Sequence, residues 1–140
     1  MSRERLLAIL VITVAAVAGI YYVAFRPLNL DGVVDHKTIS GTNSGTSYTI
    51  VVFTETSSLF DDGEARALFE DSDTVTDSIA AQLDMRYDDL FYIVSVRSDG
   101  DTMGYYVSKE DFNSVNYGSR IRFNIQGSDG LEIKIKKVLD

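Results

Sequence analysis

From Leu6 to Phe25 the chain runs for twenty residues without a charged side chain, LLAILVITVAAVAGIYYVAF. At 1.5 Å per helical residue this run is about 30 Å long, the thickness of a bilayer's hydrocarbon core. Eleven of the twenty are Leu, Ile, Val or Phe. Each contributes about −0.3 to −0.6 kcal/mol near the bilayer centre, roughly −3 to −7 kcal/mol together. No charge opposes insertion, so the sequence predicts a transmembrane helix over residues 6–26, embedded in the lipid bilayer from Leu6 to Phe25. Arg3 and Arg5 precede the run, and Arg26 follows it ahead of Asp31, Asp35, His36 and Lys37. The positive-inside rule then places residues 1–5 in the cytoplasm as a short tip and the rest of the chain outside. Tyr21, Tyr22 and Phe25 crowd the far end of the run, where amphipathic rings settle among the headgroups. Ala16-Val17-Ala18 has the form of a signal-peptidase site, but the apolar run continues seven residues beyond it. Cleavage there would leave a greasy N-terminus, so a retained single-pass signal anchor is the better reading.

Beyond the span the chain is strongly acidic. It has 13 Lys and Arg against 21 Asp and Glu; only Arg3, Arg5, Arg26 and Glu4 fall in the first 26 residues, leaving 10 bases and 20 acids after them. That balance opposes a broad nucleic-acid footprint, which needs clustered bases. Asp outnumbers Glu by 15 to 6 and there are 5 lysines, a surface type that stays soluble in high salt through repulsion and hydration. Absence of cysteine excludes disulfides, thiolate metal sites and thiol nucleophiles, and one histidine cannot build a His-rich metal centre. The remaining 114 residues suffice for one modest core.

Hydrophobic alternation makes this portion mainly β. Strands are expected at 32–39, 47–54 (SYTIVVFT), 90–97 (LFYIVSVR), 102–107 and 119–126, with a last one in which Leu131, Ile133, Ile135 and Val138 face inward. The run Gly41-Thr42-Asn43-Ser44-Gly45 has turn chemistry between the first two strands. Helical spacing of Val75, Ile79 and Leu83 predicts a helix over 74–87, with Asp71, Asp73 and Asp77 favouring its N-terminal end. A shorter helical turn is expected at 63–70. The fold class expected is therefore α+β, mainly β with one or two helices. An N-terminal transmembrane helix and a linker at 27–31 precede a small antiparallel β-barrel-like domain over 32–140. A helical acidic insertion occupies 55–89.

One local motif stands out in residues 105–123, YYVSKEDFNSVNYGSRIRF. Ser108 and Asp111 have the spacing of a helix-starting cap. Phe112 and Val115 lie three apart on the helical turn after the cap, so both can plug the end of a barrel. Gly118 can supply a left-handed turn before the next strand. Together with Val33-Val34-Asp35-His36-Lys37 and the stretch from Tyr48 to Phe53, this motif resembles a group of short, single-span bacterial and archaeal proteins with an N-terminal anchor and a small β-barrel domain. The resemblance covers about half of the soluble portion. It implies architecture and no activity, and the acidic stretch 55–89 departs from the pattern.

Few residues are arranged for chemistry. Asp61, Asp62, Asp71 and Asp73 are the candidate cation ligands, since hard cations take several oxygen ligands. Their spacing does not match a calcium loop, and helix capping explains the same acids. His36 lies beside Asp35, but neighbours in a regular strand point to opposite faces. No G-x-S-x-G elbow is present to offer a nucleophile. Tyr92, Tyr105, Tyr106 and Tyr117 read as strand packing, with a glycan platform as the alternative. Lys134, Lys136 and Lys137 form a basic edge of the kind that discourages sheet-to-sheet association. The expected function is non-enzymatic and needs no cofactor: an accessory or structural interaction domain at the cell envelope, engaging a protein partner through the insertion. The alternative is an extracytoplasmic module that binds a ligand or cation through its acidic loops.

Overall fold

The structure, a computed structural model, describes residues 29–70 and 72–139. The span expected from Leu6 to Phe25 lies outside them, as does Asp71. Among the described residues no helix is long and apolar enough to cross a membrane. The elements run β1 (Asn29–Asn43), β2 (Thr46–Phe53), β3 (Ser58–Phe60), α1 (Gly63–Phe69), α2 (Asp77–Asp84), β4 (Asp89–Ser98), β5 (Asp101–Val107), α3 (Lys109–Ser114), β6 (Arg120–Gln126) and β7 (Glu132–Val138). Asn29 to Asp31, expected in a linker, already belong to β1.

The strands form one sheet in the order β3-β2-β1-β4-β5-β7-β6, and β6 returns to pair with β1. Five strands, β1, β4, β5, β7 and β6, thereby close a barrel, while β2 and β3 extend from the C-terminal half of β1. The expected all-antiparallel pairing is corrected at one seam: β5 and β7 run parallel, with Tyr106 opposite Glu132. This seam is short because α3 wedges between β5 and β6 in the chain, and Asp111 of α3 accepts the Ile135 amide of β7 at 3.0 Å.

Strand β1 serves both the barrel and its β2–β3 extension because it is long and bulged at Asp35, while the second bulge, at Ile50, lies in β2. Its first five residues pair with β6, and from Lys37 to Asn43 it pairs with β2. Register shifts occur between Val34 and His36 against β4 and between Ile39 and Ser40 against β2. A bulge inserts one residue and bends the strand, which lets a sheet curl closed. It also reverses the inward phase: Val34 is buried, then Lys37, Ile39 and Gly41. Gly41 is required here, because a Cβ would sit 2.7 Å from the Tyr87 ring. The β1–β2 and β4–β5 turns place Ser44-Gly45 and Asp99-Gly100 at positive φ, the pattern of two-residue hairpins whose twist matches their strands. The first of these turns is narrower than the expected 41–45 run, since Gly41 to Asn43 remain in β1.

Inside the barrel lie Val34, Ile39, Val94, Val96, Tyr105, Val107, Ile121, Phe123 and Ile133. Leu131 and Val138, expected inside, are 39% and 38% exposed: β7 begins after the first, and the second is its last residue, paired with Ile121 at the end of the strand. Phe112 closes one end, its ring 6.4 Å from Phe53 and 5.5 Å from Tyr92. Phe53 also packs on Phe60 and Phe69 at 5.9 and 5.3 Å, so the insertion shares the barrel's core. The second helix is shorter than its apolar spacing predicts. Thr76 caps it through the Ile79 amide, and Val75 is held outside it by paired hydrogen bonds to the Asn113 amide group, both 2.8 Å.

Candidate interaction surface

The acids of the insertion are distributed among separate structural tasks. Asp62 caps α1 by accepting from the Glu64 and Ala65 amides at 3.1 and 3.4 Å. It also accepts two bonds from the Arg86 guanidinium, at 2.9 and 2.7 Å, and one from the Tyr87 hydroxyl at 2.8 Å. Glu64 pairs with the same guanidinium. Asp73 lies elsewhere, 3.3 Å from the Lys37 ammonium and 2.7 Å from the Tyr117 hydroxyl. Asp61 is exposed, its backbone amide donating to the Ile50 carbonyl at 3.0 Å. Among the described residues no three His, Asp or Glu side chains converge on one point. Asp61, Asp62 and Asp73 are thus not assembled into one cation site.

Burial opposes ionisation of Asp62, but the Tyr87 hydroxyl, the Ala65 and Glu64 amides and the Arg86 charge outweigh it and hold the carboxyl below the usual carboxylate range. A group with a depressed folded pKa stabilises above its unfolded value, near 3.9, and loses that contribution as pH falls through the folded value. Asp62→Asn keeps a competent cap but loses the charged pairing with Arg86, so it should lower the stability at neutral pH by up to about 1 kcal/mol. It should also flatten the fall in Tm below pH 4. An unchanged acid slope in thermal melts would refute the assignment.

Lys37 is the residue that strand periodicity does not reveal. It is 1% exposed, because the bulge at Asp35 turns it inward. Its ammonium donates to the carbonyls of Phe112 and Val115 at 2.9 and 3.2 Å, at the C-terminal end of α3, and lies 4.5 Å from the Phe112 ring centre. Burial pulls this ammonium below the usual lysine range, with Asp73 working in the opposite direction. Burial and the Asp73 hydrogen bond together push the Tyr117 hydroxyl up. The ammonium is held by the Phe112 and Val115 carbonyls and by Asp73, and so fastens the C-terminal end of α3 to the barrel.

The same bulge brings Asp35 and His36 together, with 2.8 Å between Oδ2 and Nδ1. The expectation that they point apart fails because it assumed a regular strand. Asp35 also accepts from Arg97 at 3.3 Å. No serine or threonine hydroxyl hydrogen-bonds the imidazole among the described residues, so the pair is not arranged as a nucleophile's base.

The outer face of the sheet carries a different kind of surface. Cross-strand partners place Leu59, Val52, Thr38, Ile93 and Tyr106 in one row across β3, β2, β1, β4 and β5. Beside it, Phe91 stands opposite Ser40, with its ring 5.6 Å from that of Tyr106. Leu59, Phe91 and Tyr106 are 59%, 37% and 42% exposed. Gly104 keeps the row shallow, since a Cβ there would lie 3.2 Å from Ile93 and 3.5 Å from the Ser95 hydroxyl. A cleft of about 310 Å³ opens at the end of this face, lined by Leu90, Phe91, Tyr92, Tyr106, Val107 and Glu132. Of the tyrosines read as packing, Tyr105 is buried and Tyr92 half-buried, but Tyr106 is on this outer face.

The motif residues sit close to where their spacing predicts, except that Val115, expected on the helical turn, follows α3 as an extended cap residue. Ser108 caps α3 through the Asp111 amide at 3.1 Å, Phe112 and Val115 are fully buried, and Gly118 adopts φ 78°. No protein-family model, curated protein sequence or solved structure matches the chain.

Proposed function

We propose that the chain is a membrane-anchored, non-enzymatic interaction domain at the cell envelope, with its barrel outside the membrane and a protein as its partner. The supporting observation is the outer sheet face. Leu59, Phe91 and Tyr106 expose apolar side chains on strands that belong to one continuous sheet, whereas Asp62, Glu64 and Arg86 of the insertion and the Lys37–Asp73 pair are engaged in holding the fold. Contiguous exposed apolar surface marks interaction sites in soluble domains, and aromatic anchors dominate their binding energy.

Connectivity supports the same face. The barrel order β1-β4-β5-β7-β6, with a helix before β6, is that of an OB-type barrel. Such barrels bind oligonucleotides or oligosaccharides through their second and third strands and the loops joining the first strand to the second and the fourth to the fifth. Here those parts are β4, β5, the stretch 44–88, which holds all but the last residue of the insertion expected to carry the contact, and the turn 127–131. The likeness to short anchored barrel proteins belongs to the same proposal.

The test is affinity purification of the full-length protein from its native membrane in mild detergent, beside a Leu59→Asp, Phe91→Ala, Tyr106→Ala variant. A stoichiometric partner that is lost from the variant, with circular dichroism unchanged, supports the proposal. Retention of the partner by the variant, or recovery of the wild-type protein alone, refutes it.

A further inference from the structure

The charge of the domain is segregated along the chain. Strands β6 and β7 with their turn carry Arg120, Arg122, Lys134, Lys136 and Lys137, half of the ten bases beyond residue 26, against Asp129 and Glu132. The rest of the domain is acidic. All five bases are exposed. Arg122 is paired with Asp31 at 2.8 Å and Lys134 stands 3.8 Å from Asp111, while Lys136 and Lys137 make no ion pair among the described residues.

This basic hairpin lies beside the point where the chain enters the barrel. Asn29 pairs with Asn124 and Asp31 with Arg122, and Asn124 and Arg122 pair in turn with Lys134 and Lys137. Because β6 is antiparallel to β1, it travels back toward the start of β1 and overshoots it. Ile125 and Gln126 extend past Asn124 by about 7 Å at 3.4 Å per residue, and the turn 127–131 extends further. At the tip, Ile125 and Leu131 are 38% and 39% exposed, and Asp129 is occupied with the Leu131 amide at 3.0 Å. From Phe25 to Asn29 there are four residue steps, at most ~14 Å of chain. A headgroup layer is about 5–7 Å thick on each side of the hydrocarbon core. The hairpin tip is thus long enough to reach that layer when the apolar run spans the bilayer.

We infer that the β6–β7 hairpin is a membrane-contact device: Ile125 and Leu131 enter the headgroup region while the hairpin's lysines face anionic lipid. The barrel then stands on its β6–β7 end and holds the β3 end of the outer face, with Leu59, away from the lipid, while Tyr106, whose amide donates to the Leu131 carbonyl at 2.8 Å, lies at the edge of the contact. This inference rests on the anchoring in the proposed function, not on the partner.

The chain has no cysteine, so single cysteines label uniquely. Full-length protein carrying Ile125→Cys, Leu131→Cys or Leu59→Cys, each labelled with an environment-sensitive fluorophore, is reconstituted into vesicles of equal parts phosphatidylcholine and phosphatidylglycerol. Flotation reports the anchor separately from the hairpin. The expected result is co-flotation, with blue-shifted emission at 125 and 131 that nitroxide at headgroup depth quenches, and water-like emission at 59. Lys134→Gln should reduce the docked population by up to about five-fold at an anionic surface, and Lys136→Gln and Lys137→Gln, about 17 and 20 Å from Leu131 along β7, should reduce it less. Co-flotation with water-like emission at 125 and 131 overturns the inference and leaves the anchor standing. Quenching at all three positions overturns it as well, since the barrel then has no fixed orientation. Failure to float removes the anchor and the inference together.

Discussion

Replacing Phe112 with alanine is expected to cost about 3–5 kcal/mol, the range for deleting a fully buried aromatic ring. The ring is 0% exposed and lies against Phe53, Tyr92 and the Lys37 ammonium. It is the contact through which the barrel end, the insertion and α3 share one core, and no neighbour can collapse into the space without leaving its own strand. Domains of this size have about 5–15 kcal/mol of stability in total, so the variant should lose much of its margin. Phe112→Leu, which keeps most of the volume, should recover a large part of the loss. Chemical denaturation of the three proteins measures this directly. A loss below about 1 kcal/mol for the alanine variant, well under the range for a buried ring, would mean that Phe112 is not the plug.

The second large effect is expected at Lys37. Lys37→Ala removes the donor to the Phe112 and Val115 carbonyls and leaves a cavity beneath α3. An unpaired buried acceptor costs about 1–3 kcal/mol, and lost packing of the aliphatic stem adds to it, for a total of roughly 3–4 kcal/mol. Lys37→Met restores the stem but not the donor and should cost about half as much. Asp73 is 31% exposed, so its charge can turn to water, and Asp73→Asn should cost less than either change at Lys37. A double-mutant cycle between Lys37→Met and Asp73→Asn isolates their coupling. If Lys37→Ala is neutral, the ammonium does not fasten α3, and a role in chemistry would have to be reconsidered.

The two cases differ in how well sequence reveals them. Phe112, Val115, Gly118 and the Ser108 cap are local: their spacing specifies a short helix and a left-handed turn whatever surrounds them. Lys37 is not local. Strand alternation is legible only while the strand is regular, and the bulge at Asp35 reverses the phase of everything after it in β1. That one inserted residue also brings His36 onto Asp35. No composition or spacing in VVDHKTIS announces it, because the bulge arises from the curvature needed to pair one strand with β2, β4 and β6.

The acids of 55–89 illustrate the same limit. Their density suggests a cation site, but Asp62 folds toward Arg86 and Tyr87 while Asp73 reaches Lys37 and Tyr117. Charge density is a property of sequence, whereas the sharing of one centre is a property of packing.

By itself the sequence determined the β-rich character of the domain, the positions of six of its seven strands within a few residues (β3, at Ser58–Phe60, falls in the stretch expected to be helical), the capped plug at 108–118, the acidity of the surface and the absence of thiol chemistry. It also supplies the apolar run from Leu6 to Phe25 on which the anchoring proposal rests. These features come from short-range periodicity, turn chemistry and counting. Tertiary structure alone decided the barrel's closure through β1 and β6, the parallel seam between β5 and β7, the burial of Lys37 and the row from Leu59 to Tyr106. Each of these depends on register between strands far apart in the chain, and one added residue in a strand moves every later side chain to the opposite face.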